Sequence, residues 1–285
     1  MTSRTWTIRE VLEWTTSDFA SRQIATPRLD AELLVAQALG TDRVGLYLDL
    51  NRPLVDDERA AIRVLVSRRR DREPVAYILG YRDFYGRRFS VDASVLIPRP
   101  DTETLIEHAL ECIPEDRPFR VLDVGAGSGA IALTLAAERP LAIVTGTDVS
   151  EDALRVARKN AAGLGLGDRV RFVKANLVDE SFEHDLVVSN PPYVTHAQLA
   201  ELEPEVRDYE PSAALEGGED GLDVVRALLA AAARVTRAGA RMLIEVGEGQ
   251  SGSVLALAER SDAWKPVGTH PDLNRIERVV YLRRT

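Results

Sequence analysis

The sequence predicts an α/β fold: a mostly parallel, seven-stranded sheet covered by helices, preceded by a small helical domain and a connecting β-hairpin. Three observations predict it. From Asp101 onward, helical patterns alternate with short apolar strands, as right-handed βαβ crossovers require. A glycine-rich turn directly follows the first of those strands. The opening 72 residues carry helix-end signals and no strand texture.

Taken in order, Thr26-Pro27 reads as a helix N-cap followed by proline at the first helical position. Leu29, Leu33, Ala36 and either Val35 or Leu39 form its apolar stripe, and Gly40 sits where a C-terminal cap belongs. A second helix covers 58–70 with Ile62, Leu65 and Val66 inward. Between Ala76 and Pro98 aromatic and β-branched residues take over, with Gly80 and Gly86 as turn points. Tyr77-Ile78-Leu79 and Arg88-Phe89-Ser90-Val91 read as the strands of the hairpin. The α/β part then predicts helices over 102–112, 129–138, 152–162, 222–236 and 251–259. Strands fall at 120–124, 142–147, 170–173, 186–189 and 241–246, with a closing pair near 264–269 and 278–282. The expected domains are therefore 1–74 (helical), 75–98 (hairpin linker) and 99–285 (α/β).

Composition narrows the class. The chain has 285 residues, of which 45% are hydrophobic and 28% charged, which suits a globular protein and not a disordered one. No apolar stretch is long enough to span a bilayer, no signal segment is read at Met1 to Glu10, and a cytosolic protein is expected. A single cysteine, Cys112, excludes an internal disulfide and a cysteine-based zinc site, and it reads as a small core residue. The four histidines, His108, His184, His196 and His270, lack ligand spacing; surface or helix-end positions and no metal are expected. The net charge of −9 is uneven. The first 90 residues carry 15 Arg against 13 acids, whereas 91–285 carry 21 basic and 32 acidic groups. That acidity opposes extended contact with a phosphate backbone. The run Arg68-Arg69-Arg70-Asp71-Arg72 reads as a solvated helix end, and Glu201-Leu202-Glu203-Pro204-Glu205 as a solvated acidic segment.

Two motifs carry chemistry. In Asp123-Val124-Gly125-Ala126-Gly127-Ser128-Gly129, glycines let the backbone approach a ligand at a helix N-terminus with free N–H groups. The next strand ends in Asp148, placed to accept from both hydroxyls of an adenosine ribose. Together they predict an adenosine-containing cofactor. Ser189-Asn190-Pro191-Pro192-Tyr193 ends the fourth strand of the α/β part. Two prolines fix an extended backbone with no N–H to donate, leaving the Asn190 side-chain oxygen and the Pro191 carbonyl as acceptors beside the Tyr193 ring. Such a row suits a planar NH₂ group, whose lone pair it points at an electrophile. A hydride-transfer enzyme has no use for it, so a methyl donor is expected.

On these residues the sequence resembles the class I S-adenosylmethionine-dependent methyltransferases, Rossmann-like enzymes that modify planar nitrogens. Further strings narrow the likeness: Arg72-Glu73-Pro74-Val75-Ala76-Tyr77-Ile78-Leu79-Gly80, Val95-Leu96-Ile97-Pro98-Arg99-Pro100-Asp101-Thr102-Glu103, Pro27-Arg28-Leu29-Asp30-Ala31-Glu32, Tyr209-Glu210-Pro211 and Glu245-Val246-Gly247. They are similar to the bacterial PrmC (HemK) family, which methylates the glutamine of the Gly-Gly-Gln motif in class-1 peptide chain release factors. The resemblance implies S-adenosylmethionine as cofactor and S-adenosylhomocysteine as product. It places Gly125, Ala126, Gly127, Ser128 and Gly129 along the methionine part and Asp148 at the ribose. Where the family commonly has an acid and an aromatic beside adenine, this chain has Asn176 and Leu177, an acceptor and an apolar cover. Asn190 and Pro191 would accept from the substrate amide, Pro192 would stiffen the loop, Tyr193 would lie against the amide, and residues 96–99 would close over the pocket. The implied partner is a class-1 release factor, with no membrane and no direct nucleic-acid contact, and a monomer is the simplest state. An adenine or guanine amino methyltransferase shares every catalytic residue, and a cofactor-sensing binding module would need no acceptor row.

Overall fold

A computed structural model describes residues 5–285, and the chain divides into two units. One is Met1–Gly80 with Pro204–Tyr209; the other is Tyr81–Glu203 with Glu210–Thr285. The first contains α1 (Ile8–Ser21), α2 (Pro27–Leu39), α3 (Arg43–Leu48), α4 (Asp56–Arg70) and α5 (Val75–Leu79). A capping box opens α1: Glu10 N–H donates to the Thr7 hydroxyl, and Thr7 N–H donates to the Glu10 carboxylate. α2 runs from Pro27 to a left-handed Gly40, as its end signals predict. Thr26 does not cap it, because its hydroxyl donates instead to Asp30 Oδ1 at 2.7 Å.

The inner face of α2 departs from the apolar stripe. Leu29 is exposed, while Asp30 and Glu32 are buried beside Leu34, Val35 and Ala36. Both acids are held by partners: Asp30 accepts from Arg69 at 2.7 Å, and Glu32 accepts from Arg28, Arg43 and Tyr47. The arginine run is likewise no solvated helix end. Arg69 is only 5% exposed and bridges Asp30 and Glu205, and Arg72 also donates to Glu205. Arg68 pairs with Glu73 and Arg70 with Asp18. Glu205, read as part of a solvated segment, is therefore an internal anchor of the helical unit. Local charge texture could not show this, since its partners lie more than 130 residues away in sequence.

A second correction concerns Tyr77-Ile78-Leu79, expected as a strand. Pro74 at the N-cap and a left-handed Gly80 bracket these residues as the short helix α5, and Ile78 completes the helical core with Leu12, Phe19, Leu34 and Ile62. The hairpin starts one step later, as β1 (Tyr81–Phe84) and β2 (Arg87–Ser90), antiparallel around Tyr85-Gly86. Both turn residues have positive φ, the geometry a two-residue hairpin turn demands.

The second unit continues with α6 (Thr102–Cys112), β3 (Phe119–Val124), α7 (Ala130–Glu138), β4 (Ala142–Asp148), α8 (Glu151–Gly163), β5 (Val170–Lys174) and β6 (His184–Ser189). Short pieces follow: β7 (Val194–Thr195), α9 (His196–Leu199), α10 (Pro204–Arg207, within the first unit) and β8 (Glu216–Gly218). Then come α11 (Asp223–Arg234), β9 (Thr236–Glu245), α12 (Ser251–Glu259), β10 (Trp264–Pro271) and β11 (Glu277–Arg284). The seven-stranded sheet has the order β10-β11-β9-β6-β3-β4-β5. Five strands are parallel, and β11 joins β9 and β10 antiparallel. Apolar clusters cover both faces, one around Leu105, Leu133 and Val188 and the other around Leu228, Ile244 and Trp264. From β3 the chain steps outward through β4 and β5, then returns to β6 on the other side. The carboxyl ends of β3 and β6 therefore flank the point where strand order reverses, where such sheets bind ligands.

Candidate active site

At that reversal lies a cavity of about 540 Å³, within the range that holds a cofactor-sized ligand. The turn after β3 forms one wall. Gly125 and Ala126 donate their N–H groups to Thr147 O at 2.8 Å, and Gly127 N–H donates to Asp148 Oδ2 at 2.9 Å. Gly125 and Gly127 have positive φ, and a Cβ on Gly125 would point into open space, so the backbone itself is the surface a ligand meets. Gly129 serves differently. It is absent from the cavity wall, and a Cβ there would press on Leu133, Phe172 and Ala157, so it lets α7 pack closely.

Asp148 lines the cavity with its carboxylate already oriented by Gly127 N–H and Ser150 N–H. A carboxylate offers about four acceptor sites, so two remain for a pair of vicinal hydroxyls. Asn176 and Leu177 line the same cavity, and Leu177 holds a positive φ of 70° with its carbonyl accepting from the Thr147 hydroxyl. Asp123, at the end of β3, is fully buried; one oxygen accepts from Ala132 N–H and the other has no partner among the described residues. Burial, with the nearby Asp148 charge adding to it, pushes its carboxyl up to about 7.

The opposite wall is the loop after β6. Ser189 ties β6 to β3 through a hydrogen bond to Val124 O at 2.7 Å. Asn190, Pro191 and Pro192 line the cavity. Asn190 Nδ2 donates to the Thr102 hydroxyl at 3.3 Å, and among the described residues its Oδ1 makes no hydrogen bond. Tyr193 is not in the wall; its ring lies against Gly247, and its carbonyl accepts from Gln250 Nε2 at 3.0 Å. Gly217 packs so close to the loop that a Cβ would meet Pro192 O at 2.8 Å, which fixes glycine there.

Ser94, Val95, Leu96, Pro98 and Arg99 complete the cavity mouth. Buried Glu210 holds this segment, accepting from Arg99 at 2.6 Å and from Ile97 N–H at 3.3 Å. Sequence reasoning assigned no role to Thr102, Glu210, Gln250 or Glu245, although three of them lie in strings that carry the resemblance. Nothing local in those strings says what they touch. His184 also departs from expectation, being buried at the start of β6 with its backbone N–H on Val235 O. His108 and His270, distant in sequence, stack at 3.5 Å. Cys112 is buried in the core beside α7. Among the described residues, no group of three potential ligands could hold a metal ion.

Comparison with known proteins places this geometry. Residues 10–80 match the PrmC N-terminal domain, and residues 102–204 the methyltransferase small domain. A release factor glutamine methyltransferase from Geobacter sulfurreducens is 46% identical over 96% of this chain and 96% of its own length. The chain belongs to the release factor glutamine methyltransferase family. Relatives of the same name from Chlorobaculum tepidum and Rhodopirellula baltica are 42% and 38% identical, each across at least 96% of both chains. Among solved structures, the hMettl16 catalytic domain superposes with a TM-score of 0.54 at 15% identity, over 82% of this chain and 84% of its own. A Pyrococcus furiosus methyltransferase gives 0.52 at 15% identity, over 70% of this chain and 90% of its own. These two likenesses establish the class I methyltransferase fold. The protein is thus a methyltransferase of the release factor glutamine family, built on a Rossmann-like sheet with a helical N-terminal region. Among the described residues no helix is long and apolar enough to cross a membrane.

Proposed function

We propose that this enzyme methylates the side-chain amide nitrogen of the glutamine in the Gly-Gly-Gln motif of class-1 peptide chain release factors. The observation that carries the reading is Asn190: its NH₂ end is spent on Thr102, and its oxygen is left as an acceptor in the wall of the same cavity that holds the glycine turn and Asp148. S-adenosylmethionine would be held by the Gly125–Gly127 turn, Asp148, Asn176 and Leu177, and supplies a methyl group made electrophilic by the sulfonium. Asn190 Oδ1 and the Pro191 carbonyl accept the two N–H groups of the glutamine amide and turn its nitrogen lone pair toward that methyl. A C–N bond forms as the S–C bond breaks, S-adenosylhomocysteine leaves, and one amide proton goes to solvent. No strong base is required, because the nitrogen becomes acidic only as the new bond forms. The protein's contribution is alignment and fixed dipoles.

The same acceptor row would serve an adenine or guanine amino group. The arginine run that could have met phosphates is paired internally with Asp18, Asp30, Glu73 and Glu205, which supports a protein substrate. The reading is completed as a cytoplasmic, monomeric enzyme with no direct nucleic-acid contact. The test is methyl transfer from labelled S-adenosylmethionine to release factor, RNA and DNA offered together. Label enters the release factor and is lost when its Gly-Gly-Gln glutamine is replaced. Asn190→Ala lowers turnover about 100-fold or more while the donor's Kd stays within about threefold. Label in nucleic acid alone, or full turnover by Asn190→Ala, overturns the reading.

A further inference from the structure

Asn160, on α8, is 4% exposed and does not line the cavity, yet its amide holds two segments that lead into it. Its Oδ1 accepts from Ser90 N–H at 2.7 Å, and its Nδ2 donates to Ser90 O at 3.0 Å and to Ser128 O at 2.9 Å. Both hydrogens of the NH₂ end are used, so the amide has one working orientation. Turned over, its oxygen would face the carbonyls of Ser90 and Ser128, and its NH₂ end would face the Ser90 N–H. The two partners matter for different reasons. Ser128 stands in the cavity wall between Gly127 and Gly129, both with positive φ. It precedes the helix cap Gly129, so its carbonyl lies outside the α7 ladder, and Asn160 supplies the partner. The glycine turn is thus tied on one side by Gly127 N–H to Asp148 and on the other by Ser128 O to Asn160. Between those ties the Ser128 N–H has no partner among the described residues. One turn earlier on α8, Ala157 sits where a Cβ on Gly129 would meet it at 3.3 Å, so this helix backs the turn at two points. Ser90 ends β2, and the chain beyond it reaches the cavity mouth at Ser94, Val95 and Leu96. The amide meets both backbone groups of Ser90, as a neighbouring strand would.

We propose that Asn160 is a positioning residue for donor binding: one buried amide holds the glycine turn and the strand that leads to the cavity mouth in the arrangement that the methionine part of S-adenosylmethionine meets. This rests on the reading in which that turn carries the methionine part, and deepens it by naming what fixes the turn from outside the cavity. Asn160 does not reach the cavity; it acts through Ser128 and Ser90. Asp148 has a second anchor in Ser150 N–H, so the ribose end does not depend on Asn160. Loss of the amide therefore acts on one end of the donor. The turn must then be ordered when the donor binds, and that cost falls on the ligands that carry the methionine part.

The experiment measures binding of S-adenosylmethionine, S-adenosylhomocysteine and adenosine by calorimetry to wild type, Asn160→Asp and Asn160→Ala, each below its melting temperature. Asn160→Asp is nearly isosteric and keeps an acceptor for Ser90 N–H, but when ionised it donates to neither carbonyl. It should raise the Kd of both methionine-bearing ligands about 10- to 30-fold and that of adenosine by no more than about threefold. Asn160→Ala, which introduces no charge, should show the same split, and it decides if Asn160→Asp does not fold. In steady-state methylation the donor KM should rise with its Kd, while the release-factor KM stays within about threefold of wild type. An unchanged donor Kd in a folded variant overturns the proposal. So does an equal loss for adenosine, which would show that Asn160 only supports the fold around the cavity. Wild type that fails to bind S-adenosylmethionine overturns the cofactor reading instead. Wild type that binds it but spares release factor overturns the glutamine reading, and the binding comparison still decides the role of Asn160.

Discussion

In the helical unit the buried acids are ion-paired, whereas in the α/β unit Asp272 and Glu210 are paired with arginines and Asp123 and Glu245 are not, among the described residues. In the first, buried Asp30 and Glu32 and half-buried Glu205 each meet at least one guanidinium. Burial raises Glu32 and Glu205, but Tyr47, Arg43 and Arg28 around the one and Arg69 and Arg72 around the other leave both below their ordinary range. In the second, Asp123 and Glu245 are as deeply buried and form no ion pair among the described residues; each has one oxygen without a partner there, and burial pushes both to about 7. Glu210 stands between, paired with Arg99 yet still raised by burial. Charge in the helical unit is spent on holding helices together. In the α/β unit, burial without a cationic partner makes Asp123 and Glu245 hold their protons up to about 7.

The comparison breaks most violently at Arg69. It is the common partner of Asp30 on α2 and Glu205, so its removal strands the buried Asp30 and leaves Glu205 to Arg72 alone. Arg69→Ala should destabilise the helical unit by about 3–5 kcal/mol. Denaturant unfolding, with hydrogen exchange read separately on α2 and α4, checks this. A loss confined to a few tenths would mean that the arginine cluster is solvated after all.

Next in size is the pH dependence that Asp123 imposes. Native Asp123 keeps its proton to about 7, against 3.8 for the ordinary side chain. Its contribution to stability is therefore complete below the unfolded value and is lost as pH rises through the folded one. The amide introduced by Asp123→Asn would still accept from Ala132 N–H but could not ionise. Without methyl donor, Asp123→Asn should exceed wild type in stability by on the order of 2–4 kcal/mol at about pH 8, with little difference at about pH 3. Equal stability at both would show that Asp123 carries no burial penalty. The paired acids of the helical unit should show the reverse sign, losing stability as pH falls.

How much of this was legible in the sequence follows the same divide. In the α/β unit the signals are local: apolar runs, glycines after a strand, two prolines at a strand end. The helix Thr102–Cys112 and the helix Ser251–Glu259 fall on the residues that periodicity predicts. Asp148, Asn176, Leu177, Asn190 and the glycine turn meet in one cavity. In the helical unit the decisive contacts are long-range ion pairs. The acids of α2 look like a solvated face until Arg69 and Arg43 are in place. Short aromatic and β-branched runs mislead as well. Tyr77-Ile78-Leu79 has strand composition, but Pro74 and Gly80 leave room only for one tight turn, and Ile78 is needed in a helical core. Tyr193 follows the acceptor row in sequence, yet the loop turns its ring to Gly247. The hydrogen bond from Asn190 to Thr102 joins the loop after β6 to α6, two segments that no spacing rule connects.

The smallest effect asks how much of the helical unit's charge is held by guanidinium pairing alone. Tyr47 OH donates to Glu32 Oε1 at 2.6 Å, and its ring also lies under Arg28 at 5.8 Å. Tyr47→Phe removes this hydrogen bond and the one that Arg28 donates to the phenol, and keeps the ring. Glu32 lies below its ordinary 4.5 although burial pushes the other way, so its favourable contribution is present above that value and lost as pH falls through the depressed one. Removing the phenol should cost about 0.5–1.5 kcal/mol at neutral pH, the worth of a typical hydrogen bond, the more exposed one to Arg28 adding little. It should also move the acid loss of stability to higher pH. Urea unfolding at neutral pH and at about pH 3 separates the causes, since the difference must shrink where Glu32 is protonated in both proteins. A loss that is equal at both would assign Tyr47 to packing, and Arg28 and Arg43 would then hold the Glu32 charge by themselves.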